Sequence, residues 1–322
     1  MLPRANPHGT AGVDIGTTDF NCKKRQNLKD MDRYQEALAA SKVTENDAEV
    51  AAEVKKIVDE AGKYASPEVY QFLFSSIDLT TLSTEDSVKS VSEFTQRVND
   101  FDNDFPQYRN VAAICVYSNF AEVVKTNLDV PGVDIAVVAG CFPSSQTFTA
   151  VKIADAALAV EAGANEVDIV FNLGMFRDGN YEDLCDEMIE IKHTIKDAKM
   201  KVILESGALK TAEKIKKASI LSLYSEADFL KTSTGKIYPG ASLDAAYVMC
   251  KCIKEYYDLT GRKVGFKASG GVRTSEDALH YYAIVKEVLG DEWLTHDLFR
   301  IGASSLANSL LSSMEGKETK FF

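Results

Sequence analysis

Eight short apolar runs, each followed by a longer stretch of helical periodicity, restrict what this chain can fold into. The runs are Ile77 to Leu82, Val111 to Tyr117, Val133 to Gly140, Glu166 to Asn172, Lys201 to Glu205, Asp228 to Thr232, Lys263 to Ala268 and Leu298 to Gly302. The helical stretches lie at about 84–103, 119–128, 147–162, 180–197, 211–225, 241–258, 275–289 and 303–314. The repeating unit is therefore a strand followed by a helix. Eight such units in about 240 residues predict an α/β chain closed into a (β/α)8 TIM barrel. A doubly wound open sheet is the rival, but no glycine-rich dinucleotide turn follows the first run. With 322 residues, 45% of them hydrophobic, one large core fits better than two equal domains.

The barrel is expected over 71–315, with a tail at 316–322. Residues 1–70 read as an N-terminal extension, flexible over roughly the first 20 residues and helical near 27–41 and 45–64. Ser66 and Pro67 then read as an N-cap and a first helical position. Within the extension, Val13 to Thr18 is similar to the phosphate loop of sugar kinases, but no nucleotide-binding sheet surrounds it. A polar tail is the better reading.

A net charge of −12 argues against general affinity for nucleic acid or anionic membrane, so any phosphate site must be a local arrangement of donors. No run of 18 apolar residues and no signal-peptide core appear, which predicts a cytoplasmic, soluble chain. Six scattered cysteines lack paired metal spacing and read as reduced thiols. Four dispersed histidines argue against a metal-dependent mechanism, and no metal is expected.

Three charged residues interrupt the apolar runs in a way that suggests chemistry. Lys231 closes the run Asp228-Phe229-Leu230-Lys231, and Lys267 follows Val264-Gly265-Phe266. If their strands are neighbours, burial and like-charge repulsion together free a nucleophilic amine at Lys231 near neutral pH. Asp168 lies inside the fourth run between Val167 and Ile169. Strand alternation places it on the face opposite the apolar pair, pointing into the barrel, where a buried carboxylate needs a partner. Both a structural salt bridge and a catalytic role put it near Lys231 or Lys267. Glycines at Gly270, Gly271 and Gly302, with Ser304 and Ser305, follow the last two strands, where backbone N–H groups, hydroxyls and a helix N-terminus suit a phosphate.

From about Ile77 to Ser313 the chain resembles deoxyribose-phosphate aldolase, a class I aldolase family. The longest blocks are Asp228 to Lys236 and Gly265 to Thr274. Shorter ones are Ile77 to Leu82, Cys115-Val116-Tyr117, Gly140 to Pro143, Glu166 to Val170 and Arg300 to Leu306. The resemblance implies cleavage of 2-deoxy-D-ribose 5-phosphate to D-glyceraldehyde 3-phosphate and acetaldehyde through an imine on Lys231. Lys267 would perturb the Lys231 pKa, and Asp168 with an ordered water would relay protons. Asp78, Thr80, Cys115, Thr232 and Lys236 match pocket residues, with Lys236 able to add charge to the phosphate or hold its loop. No cofactor is implied, because the protonated imine is itself the electron sink. The partner implied is a sugar phosphate, and the assembly a homodimer.

The chain departs from the family in three places. It ends Lys320-Phe321-Phe322 where some members carry a tyrosine that reaches the site. Ser144-Ser145 stands where a glycine is usual, so a positive φ there would require a reshaped loop. Ser118 replaces a common proline beside Tyr117. These departures motivate two alternatives: a Schiff-base aldolase for another aldehyde acceptor, and a weakly catalytic homologue that binds partners through residues 1–70.

Overall fold

Each of the eight apolar runs overlaps one strand, and the strands close on themselves. The computed structural model describes residues 34–322. In it the strands are β1 Ile77–Thr80, β2 Ala113–Tyr117, β3 Asp134–Ala139, β4 Glu166–Val170, β5 Lys199–Ile203, β6 Phe229–Lys231, β7 Gly265–Ser269 and β8 Phe299–Ala303. All pair in parallel with their sequence neighbours, and β8 returns to β1 to complete the barrel. Each strand is followed by one of eight outer helices, from Val88–Asp104 to Leu306–Glu315. The expected (β/α)8 barrel is therefore what the chain forms.

Outward-facing strand residues such as Val167, Ile169, Met200, Val202, Leu230 and Phe266 join the helices in a continuous core. The inner face is different. Ala113, Cys115, Ala136 and Val138 form a separate small apolar cluster with Leu82 on the β2–β3 side. Buried charges occupy the rest: Asp78, Glu166, Asp168, Lys201, Lys231, Lys267 and Arg300. The register sets them side by side, with Asp168 opposite Lys201, Lys231 opposite Lys267, and Lys267 opposite Arg300.

Helix starts follow the capping rules. Ser87 and Thr274 each head a reciprocal capping box, and Ser242 and Thr211 accept from the third amide of their helices. Before the barrel, Asn46 caps Asp47–Asp59 and Ser66 caps Pro67–Phe74, with proline at the helix start as expected. The first of these helices packs on Leu243–Thr260 and Ser275–Leu289, the second on Leu306–Glu315. Ahead of β1, helices at 34–40, Asp47–Asp59 and Pro67–Phe74 are separated by non-helical residues such as 41–46. The expected helix near 27–41 is seen over 34–40, and its earlier part, the flexible first 20 residues and the Val13–Thr18 motif lie outside the described residues. Two short helices, Leu173–Arg177 and Ser206–Leu209, were not anticipated, because four or five residues are too few to show a helical period.

At the other end, Phe321 and Phe322 lie against Phe101, with Phe105 and Phe74 beside them. Asn308 fixes them: its Oδ1 accepts from both amides at 2.7 and 3.0 Å, and its Nδ2 donates to the Phe322 oxygen. This segment is part of the outer wall. Cys22 lies outside the described residues, and Cys115, Cys141, Cys250 and Cys252 form no disulfide among the described residues. Among the described residues, no helix is long and apolar enough to cross a membrane.

Candidate active site

Lys231 ends β6, and its neighbour across the ladder is Lys267 on β7, so the two ammonium groups leave adjacent strands toward the same side. Asp168 meets both from β4. Its Oδ2 accepts from Lys231 Nζ at 2.7 Å and from Lys267 Nζ at 2.8 Å, while Oδ1 accepts from Lys201 Nζ at 3.1 Å. Lys267 also donates to Asp78 Oδ2. One carboxylate thus serves three lysines in a space almost without solvent access.

Crowding decides which lysine can lose its proton. Burial is the largest influence on Lys231 and lowers its pKa; Lys267 pushes the same way, and Asp168 opposes without restoring the ordinary value. Burial also works against the charge of Lys267, but Asp168 and Asp78 outweigh it and hold that ammonium above its usual range. For Asp168, burial alone would raise the pKa, yet Lys201, Lys231 and Lys267 keep the carboxyl well below it. The resulting centre is an ionised Asp168, a fixed Lys267 cation and an amine at Lys231 that deprotonates more readily than a free lysine.

Beneath this centre lies a second charged layer. Lys201 donates to Glu166 as well as to Asp168, and Arg300 bridges Asp78 at 2.7 Å and Glu166 at 3.0 Å. Glu166, Lys201 and Arg300 were not singled out from the sequence. Their signal was present, since each is a charge inside an otherwise apolar run at a position facing inward.

The remaining expected residues take distinct places. Asp78 is buried between Lys267 and Arg300, so it supports the lysines from below. Cys115 is buried beside the lysines, with burial pushing its thiol pKa up. Thr80 spends its hydroxyl on the Asp78 carbonyl at 2.7 Å. Thr232 ties strand ends together: its Oγ1 donates to the Ser269 carbonyl at 3.1 Å and accepts from the Ser269 amide at 3.0 Å. Lys236 leaves the loop after β6 and donates through Nζ to the Leu82 carbonyl at 2.5 Å, an oxygen that also accepts from the Tyr117 hydroxyl at 3.2 Å.

Gly270 and Gly271 adopt φ of 83° and 87°, which favours glycine, in the loop after β7. Gly302 has a different reason to be glycine, because a Cβ there would sit 3.1 Å from Lys267 Cε. Ser304 and Ser305 are exposed after β8, and Ser305 precedes Leu306–Glu315 without its hydroxyl capping that helix. Ser269 on β7 pairs with Gly302 on β8, so the two glycine-bearing loops leave adjacent strands.

The Ser144-Ser145 departure is accommodated without glycine. Ser145 takes φ of 59° and is buried, and its Oγ accepts from Lys152 Nζ at 2.8 Å. Lys152 in turn pairs with Glu187 at 2.6 Å. A serine held by a buried ion pair thus takes the left-handed conformation that a glycine would adopt freely.

Residues 72–311 match the model of the DeoC/LacD family aldolases. The chain is 39% identical to the deoxyribose-phosphate aldolase of Mus musculus, over 73% of this chain and 77% of that protein. Against the deoxyribose-phosphate aldolase of Homo sapiens the identity is 38%, with the same coverage. Among solved structures it is similar to the tetrameric deoxyribose phosphate aldolase of Aeropyrum pernix, with a TM-score of 0.61 and 25% identity, covering 80% of this chain and 97% of that one.

Proposed function

Because the chain belongs to the DeoC/LacD aldolase family, we propose that it cleaves 2-deoxy-D-ribose 5-phosphate to D-glyceraldehyde 3-phosphate and acetaldehyde through an imine on Lys231. The observation that carries this reading is a buried Lys231 amine with a lowered pKa, 2.7 Å from Asp168 and in register with Lys267.

Unprotonated Lys231 Nζ adds to the C1 aldehyde of the open-chain sugar, and loss of water leaves a protonated imine. The C3 hydroxyl then gives up its proton, the C2–C3 bond breaks, C3 becomes the aldehyde of glyceraldehyde 3-phosphate, and the bonding pair moves toward nitrogen as an enamine. Protonation at C2 and hydrolysis release acetaldehyde and restore the lysine. Asp168 faces the imine nitrogen throughout. With three cations around it, Asp168 is a poor base; once Lys231 is neutral one cation is gone, and Asp168 can take and return a proton through a water. Lys267 keeps its proton and disfavours a second ammonium beside it. The small apolar wall of Ala113, Cys115, Ala136 and Val138 suits a two-carbon enamine.

We place the phosphate at the loops after β7 and β8, with Gly270 and Gly271 offering backbone amides, Ser304 and Ser305 offering hydroxyls, and Lys236 swinging from its neutral carbonyl partner to the anion. The same reading carries a homodimer and a cytoplasmic location. Borohydride trapping with deoxyribose 5-phosphate, peptide mapping and a coupled assay for glyceraldehyde 3-phosphate test it. An adduct on Lys231 with product is expected; product formation without any adduct would overturn the imine, and neither would overturn the activity.

A further inference from the structure

Glu205 follows β5 and stands out in three independent ways. It is 2% exposed, its backbone takes φ of 55° and ψ of 58°, and among the described residues no cation lies within ion-pair distance of its carboxylate. A left-handed glutamate and a buried carboxylate without a cation are both unfavourable, and such features are retained where surrounding structure uses them. What the carboxylate holds is one residue. Oε2 accepts from the Thr234 hydroxyl at 2.6 Å, and Oε1 accepts from the Thr234 amide at 3.3 Å.

Thr234 is a relay point in the loop after β6. Its Oγ1 accepts from the Lys236 amide at 3.2 Å, so the grip of Glu205 is passed to the backbone that launches the Lys236 side chain. The same loop abuts the one after β7, since a Cβ on Gly235 would come within 3.4 Å of Gly270 Cα. Lys231 is held by β5–β6 pairing, which the Leu204 amide extends to its carbonyl at 2.9 Å, and by Asp168 at its amine. Glu205 therefore constrains the Lys236 loop through hydrogen bonds to Thr234, and reaches the Lys231 amine only as a longer-range charge.

We infer that Glu205 is a positioning residue for phosphate recognition: through Thr234 it holds the Thr234–Lys236 turn where Lys236 can reach the phosphate of the substrate. This rests on the aldolase reading above and adds a division of labour to it, with the end of β6 serving the carbonyl and the loop beyond serving the anion.

The test compares deoxyribose 5-phosphate with unphosphorylated deoxyribose in the full-length chain. Glu205→Ala should raise KM for the phosphorylated sugar about tenfold with kcat nearly unchanged, as for a lost charge-assisted grip on a binding loop. The kcat/KM for deoxyribose and imine trapping with acetaldehyde, neither of which presents a phosphate, should stay as in the unsubstituted protein. Glu205→Gln, which can still accept one of the two bonds, should recover part of the loss. Thr234→Val should reproduce the KM rise, and the double variant should add nothing further. Equal losses on both sugars, or an unchanged preference for the phosphorylated one, would overturn the role of Glu205 while leaving the aldolase reading intact. Absence of turnover by the unsubstituted protein would overturn both.

Discussion

Lys201 and Lys231 are both buried in the barrel interior and both bond Asp168, yet their pKa values move in opposite directions. Lys201 lies within ion-pair distance of three carboxylates, Glu166, Asp168 and Asp78. Burial pulls its pKa down, but those three charges outweigh burial and raise it. Lys231 has Asp168 alone, shared with two other lysines, and there burial prevails. Burial by itself therefore does not make a nucleophile. The count of carboxylates per ammonium does, and the floor of the barrel spends its carboxylates on Lys201 and Arg300, leaving the upper centre short of negative charge.

The sharpest way to test that contrast is to remove each lysine in turn. Lys231→Ala should abolish imine trapping and turnover, while two lysines still surround Asp168 and the thermal midpoint moves little. Measurable adduct at any other lysine under the same borohydride conditions would break the assignment. Asp168→Asn comes next in size. It removes the one carboxylate at Lys231 and the proton relay, so kcat/KM should fall by about 10²–10⁴. Because Asp168 is the charge that opposes burial at Lys231, the acid limb of the pH profile should move to lower pH, and a shift to higher pH would contradict the electrostatic account.

Lys201→Met should have the reverse character. It leaves Glu166 and Asp78 with less positive charge in a dry interior, and loss of one partner from a buried ion network is typically worth about 3–5 kcal/mol of stability. Denaturant titration should show this loss while Lys231 remains trappable. If trapping disappears in a protein that is still folded, the two layers are one functional unit and the division drawn here fails.

How far the sequence reveals this arrangement depends on the residue. The eight strands were legible because each is a short apolar run bounded by turns, and the pairing of Lys231 with Lys267 followed once consecutive strands were taken as neighbours. Asp168 was legible from alternation within β4. Glu166, Lys201 and Arg300 obey the same alternation, but each lies within the first three residues of its strand, where a charge can often still reach solvent, so the closed barrel is what shows them buried. Thr232 is chemically able to donate to a substrate, and only the register of β6 with β7 shows its hydroxyl engaged with Ser269. Ser145 was read as an obstacle to the loop. The compensating hydroxyl contact from Lys152 comes from a helix that sequence alone does not orient toward it.

The smallest expected effect isolates the like-charge contribution. Lys267→Leu removes a permanent cation next to Lys231 and also leaves Asp168 with one fewer competitor. Both changes favour protonated Lys231: the repulsion that lowers its pKa is lost, and the attraction that raises it is less divided. Imine formation needs the neutral amine, so the acid limb of kcat/KM should move to higher pH, and trapping at low pH should weaken more than trapping at high pH. A uniform loss across the pH range would instead make Lys267 a substrate contact or a partner required for packing by Asp78. Running the same profile on Lys201→Met separates these outcomes further. That substitution also removes a cation from Asp168 but acts from the floor, so its shift should have the same sign and be smaller if proximity to Lys231 sets the size of the effect.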